Sequence, residues 1–240
     1  MAFTRYFTKV VKPFMTIAKQ DGGAYSNDDV LFLSTPFEIP KGTSRLIGAT
    51  ATVRGNDGAA QALPFDLLFS SSSLAMGTES ETDILRPSND LLGVVSFAAA
   101  DYGGNSLDFF SIASASATPP ALCLTSDDVN NSTFGRELGV DRIYVSGLSG
   151  GAFNFASATA VTAAHSAGQS TVITLDGKSA LLTLAAGDIV FANDGANIGT
   201  IKSVDSATQI TLEEPNVAAI ADGDEVYPRQ PIKIILSFER

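Results

Sequence analysis

The stretch IKIILSFE, Ile232 to Glu239, puts Ile232, Ile234, Leu236 and Phe238 on one side of an extended chain and Lys233, Ile235, Ser237 and Glu239 on the other. That period of two is the signature of a β-strand with one buried face. A strand this apolar has to be paired inside a sheet, since a slip of one residue would turn its whole hydrophobic set toward water. Its expected neighbour is the strand read at Arg142 to Val145. The same alternation recurs at Ile47 to Arg54, which groups Ile47, Ala49, Ala51 and Val53, and at Leu63 to Phe69, which groups Phe65, Leu67 and Phe69. Asn56-Asp57-Gly58 between them is turn chemistry, so the two are expected to form a hairpin. Further strands are expected at Val30 to Leu33, Gly93 to Phe97, Leu107 to Ile112 and Arg142 to Val145.

Working back from the terminal strand, the chain changes character. Residues 153–170, FNFASATAVTAAHSAGQS, carry no charge and read as a linker or a polar-edged strand. A meander of short strands follows, with reversals at Asp176-Gly177, Asp194-Gly195 and Asp205 to Thr208, and it ends near Asp222-Gly223-Asp224 and Tyr227-Pro228. Hairpins of this length suit a small barrel that is complete without the strand at Ile232. With 45% hydrophobic residues, 21 Gly and 10 Pro in 240 residues, the chain can bury real cores and is punctuated at the short intervals an all-β protein needs. The expected fold is therefore all-β. It is an antiparallel, jelly-roll-like β-sandwich over residues 1–152 and 229–240, with a small SH3- or OB-like β-barrel, residues 156–228, inserted before the last strand.

The charge of -11 repels nucleic acid phosphates and anionic membranes, so neither is an expected partner. Residues 1–20 depart from the rest, carrying Arg5, Lys9, Lys12 and Lys19 without an acid, and read either as the exposed start of the first strand with solvated lysines or as an arm that docks on an acidic neighbour. No signal-peptide core and no apolar run of membrane-spanning length is present. Cys123 is the only cysteine and reads as a small core residue within ALCL.

A single histidine, His165, removes HExxH zinc sites and histidine clusters, and it reads as a lightly packed or exposed side chain. Gly147-Leu148-Ser149-Gly150-Gly151 matches G-x-S-x-G after a strand, but no acid lies between Ser149 and His165, and no histidine follows. The nucleophile elbow needs its partners in the order Ser, acid, His. The motif reads instead as a flexible exit from the strand into the insertion. Asp28-Asp29, Asp127-Asp128 and Glu213-Glu214 read as solvated loops, since none has EF-hand spacing. No P-loop or dinucleotide motif is present. The expectation is a non-enzymatic protein without cofactor or metal.

Asn27-Asp28-Asp29-Val30, the run from Pro40 to Val53, the strand Leu63 to Phe69 and the segment Asn89 to Phe97 together resemble a recurring type of tailed-phage virion protein, particularly of environmental and cyanobacterial phages. Gly187 to Leu212 is similar to small barrels of phage tail and capsid-associated proteins. The resemblance implies a capsid decoration or cement protein on the particle surface, made in the host cytoplasm. Its partners would be the major capsid protein or other virion subunits, engaged as a homo-oligomer, with a trimer favoured, and Arg5, Lys9, Lys12 and Lys19 would make the capsid contact. The alternative is a tail, baseplate or fibre component that binds a neighbouring subunit or a host glycan.

Overall fold

The computed structural model describes residues 5–15, 25–54, 62–73, 77–79, 81, 91–103, 110–114, 122–124, 140–152, 159–176 and 184–240. These residues form the strands β1 (Tyr6–Val11), β2 (Val30–Pro40), β3 (Ser44–Arg54), β4 (Phe65–Ser70), β5 (Leu91–Phe97), β6 (Phe110–Ser114), β7 (Leu122–Leu124) and β8 (Val140–Ser149). They continue with β9 (Val172–Thr174), β10 (Ile189–Ala192), β11 (Asn197–Ser206), β12 (Gln209–Leu212), β13 (Val226–Pro228) and β14 (Ile232–Glu239). Among the described residues there is no α-helix, only a 3-10 turn at Ala99–Asp101. The protein is all-β.

Three sheets are made, in the orders β1-β14-β3-β6 with β7 also on β3, β2-β8-β4-β5, and β13-β10-β11-β12-β9, and every pairing of strands is antiparallel. The first two face each other as a β-sandwich. Ile232, Ile234, Leu236 and Phe238 of β14 are fully buried and share one core with Ala51 and Val53 of β3, Ile39 of β2 and Phe65, Leu67 and Phe69 of β4. At about 1.5–3 kcal/mol for each large apolar side chain removed from water, β14 alone contributes roughly 6–12 kcal/mol of gross burial. Phe238 stacks on Phe7 of β1 at 5.1 Å between ring centroids and reaches Phe37 of the facing sheet at 6.2 Å. One side chain thus joins two strands of one sheet and a third strand across the layer.

Two expected pairings are corrected. β14 joins the larger unit, but between β1 and β3 and not beside Arg142 to Val145, which lie in β8 of the other sheet. The two alternating segments read as a hairpin, now β3 and β4, belong to opposite sheets, so the chain between them crosses the sandwich. Each turns an apolar row to the same core, Leu46, Ala49, Ala51 and Val53 from β3 and Phe65, Leu67 and Phe69 from β4; Ile47, read with the inward row, falls at a register shift and is 38% exposed. The turn residues 56–58 lie outside the described residues.

β9 to β13 fall between β8 and β14 in the chain and form the third sheet over a core of their own, including Ile173, Val190, Ile198, Ile201, Ile210, Leu212 and Val226. Residues 159–162 run between its two edges. Val226 N donates to Thr159 O (3.0 Å) and Val161 N to Asp224 O (2.8 Å) on one side, while Thr162 N donates to Thr174 O (3.0 Å) and Asp176 N to Ala160 O (2.9 Å) on the other. The expected turn at Asp194-Gly195 is present: Gly195 has φ +85, and Ala196 N donates to Asp194 Oδ1 at 2.7 Å. At the β11–β12 reversal, Thr211 Oγ1 and Ser203 Oγ donate to Asp205 and hold its carboxyl below the usual aspartate value.

The insertion is fixed to the sandwich by charge as well as by chain. Arg54, at the end of β3, makes a two-pronged pair with Asp188, Nη1 to Oδ2 at 2.6 Å and Nη2 to Oδ1 at 2.8 Å, and the two side chains are 13% and 14% exposed. Asp188 Oδ2 also accepts Ala185 N at 2.7 Å, so the carboxylate is held from its own side of the junction too.

Candidate binding cleft

The residues singled out for catalysis do not meet. Ser149 ends β8 at 2% exposure, its Oγ donating to Gly151 O at 2.6 Å, while its backbone accepts from Asp28 N (2.7 Å) and donates to Asp29 O (2.8 Å). A hydroxyl locked in this way closes the end of a strand. His165 is half-buried beside the other core, where its backbone exchanges hydrogen bonds with Ile220, 2.9 Å in each direction. Asp29 is buried, its carboxylate accepting Ser26 N at 2.7 Å, and Asp28 occupies a left-handed turn position with φ 68. The reading of this pair as solvated fails for Asp29, whose carboxylate caps the turn into β2. Glu213 and Glu214 are exposed, and Asp127-Asp128 lie outside the described residues. Among the described residues no group of three or more His, Cys, Asp and Glu comes together. Cys123 lies in β7.

The basic segment is not a free arm where it is described. Residues 6–11 are β1, an edge strand paired along its length with β14, and Arg5 exchanges backbone hydrogen bonds with Arg240 at 3.0 and 2.9 Å. Lys9 is half-buried and sits in register with Leu236, on the same face as Phe7 and Val11. Arg5 and Lys12 lie at opposite ends of the strand, roughly 23 Å apart at the usual rise per residue. Lys19 lies outside the described residues. The structure therefore does not gather Arg5, Lys9 and Lys12 into one patch.

What lies on the outside of this sheet is uncharged. Val10, Ile235, Thr50 and Ser114 form one row across four strands, and Thr8, Ser237 and Gly48 form the next. Tyr6 and Val10 are 69% and 56% exposed. Charge returns only at the margins, where Arg45 and Glu239 neutralise each other at 2.8 Å and Lys233 stands opposite Thr52.

A concavity of about 690 Å³ opens between the sandwich and the insertion. Its walls come from four places: the residues after β1, the middle of β2, Glu79 between β4 and β5, and the insertion with its exit. Backbone bonds set their spacing, since Met15 N donates to Arg229 O (3.1 Å) and Arg229 N to Ile189 O (2.9 Å). The Arg229 guanidinium carbon consequently lies 4.4 Å from the centroid of the Phe14 ring and 5.2 Å from that of Phe191. Lys12 and Glu79 line the same cleft; burial, and after it the charges of Glu79 and Asp29, push the Tyr25 phenol up. Among the described residues neither Lys12 nor Arg229 has a carboxylate partner. Sequence reading passed over Phe14, Phe191 and Arg229. The usable signal was an arginine directly after Tyr227-Pro228, where one unit hands over to the other.

Comparison with family models, with curated proteins and with solved structures finds no match for this chain.

Proposed function

We propose that this chain is a non-enzymatic structural protein of a tailed-phage virion, a decoration or cement protein that stabilises the head through contacts with the major capsid protein and with copies of itself. The observation that carries the reading is the outer face of the β1-β14-β3-β6 sheet, two register rows without a charge on a chain of net charge -11. An uncharged sheet face on so acidic a chain suits a subunit contact, where buried unpaired charge is what an interface must avoid. Closed symmetry, with a trimer favoured, would multiply weak contacts of this kind. The rigid junction at Arg54 and Asp188 supports the same reading, because it holds the insertion in a set direction from the contact face.

Ser237→Glu places a carboxylate in the middle of that face. Expected is a melting midpoint matching the parent, surface changes usually costing within about 0.5 kcal/mol, together with loss of the oligomer in light scattering and of incorporation into particles. Unchanged incorporation would sink the contact. Micrographs of particles lacking the chain decide the location: weakened heads support decoration, whereas intact heads with a missing tail piece favour the tail, baseplate or fibre alternative.

A further inference from the structure

We infer that the cleft between the sandwich and the insertion is a binding site for an acidic saccharide, with the Arg229 guanidinium as the group that recognises its carboxylate. An arginine flanked by aromatic rings is fixed in plane, and its N–H edge is left to donate. Here Phe14 and Phe191 supply the rings, and no carboxylate among the described residues takes the edge. The planar fork of five donors matches a carboxylate bidentately, a geometry an ammonium does not provide.

Lys12 adds a second cation to the same walls. On a chain of net charge -11, two cations without partners in one cleft attract an anion locally while the surrounding field disfavours polyanions. Glu79 narrows the choice further. Its negative charge repels a second acid, which points to a ligand with one acid group. Phe14 is 49% exposed and Leu33 40%, so apolar surface remains for the C–H face of a sugar ring. A cavity of about 690 Å³ falls within the range of small-molecule sites.

The assignment rests on the cleft alone and not on the assembly reading. The test is a side-chain NMR titration of the full chain with D-glucuronic acid, using D-glucose as the neutral control. Expected are saturable shifts at Arg229 Nε and at the Phe14 and Phe191 rings with glucuronate, and none with glucose. Arg229→Gln should weaken the glucuronate response at the rings by about tenfold or more, the scale of one charge-assisted contact. Because Arg229→Gln also loosens the aromatic stack, Lys12→Gln is the second variant: it removes a charge without touching the rings and should weaken binding as well. Ser237→Glu should bind as the parent does, so this site and the assembly contact can fail separately. Equal shifts with glucose, a response that never saturates, or full affinity in both Arg229→Gln and Lys12→Gln would overturn the assignment.

Discussion

Asn216 shows how much one side chain can hold when it is fully buried and fully bonded. Its Oδ1 accepts Gln169 N (3.1 Å) and Ser170 N (2.9 Å), and its Nδ2 donates to Ser166 O and Ala218 O, both at 2.8 Å. Four backbone groups from two loops depend on it. Asn216→Ala leaves all four without this partner and is expected to destabilise the insertion by about 1–3 kcal/mol, read as a lower denaturant midpoint. Nothing in Pro215-Asn216-Val217 announces this role, because the partners in Ser166, Gln169 and Ser170 lie far upstream and only folding brings them near. Gly147 was legible as a glycine but not for its reason. It is part of β8 and not a loose exit, and a Cβ added there would stand 2.3 Å from Cε1 of Phe32 on β2. Gly147→Ala should cost about 1–3 kcal/mol, the usual penalty of overpacking; a chemical melt that matches the parent would show that the Phe32 ring can move aside.

At the scale of elements, alternation reports which face of a strand is apolar but not which strand lies beside it. The strands at Ile47, Leu63 and Ile232 were all legible for that reason, while the neighbours of β3, β4 and β14 were not, since several registers bury the same residues equally well. Lys9 belongs to this scale. It interrupts the inward row Phe7, Lys9, Val11 on an edge strand, the placement by which natural sheets discourage further strands from adding. Lys9→Val restores an unbroken apolar row. Expected is a fold at least as stable as the parent that self-associates as concentration rises, read by light scattering; a variant that stays at the parent's oligomeric state at every concentration would remove the protective role.

For the whole molecule, the two hydrophobic clusters share no residue, although the Arg54–Asp188 pair ties their units together. Cavity variants should therefore act locally. Ile210→Ala, at about 2–5 kcal/mol, is expected to lower amide-exchange protection in β9 to β12 while leaving β14 as in the parent; a loss of protection spread evenly over both units would show that they unfold as one. The composition change near residue 153 and the closing turns near Tyr227 were the signals read for two units, whereas the cleft between them depends on how the units dock, which no local pattern encodes. The pairing of β1 with β14, Tyr6 opposite Glu239, has a further consequence in time. On the ribosome β1 emerges before any other strand of the sandwich and β14 after all of them, so the sandwich has no closed first sheet until synthesis of both units is over. The insertion, whose strands are near one another in the chain, can close while β1 still waits. The larger core thus stays open until β14 has emerged, and it is in that interval that its apolar strands most need a chaperone or a neighbour.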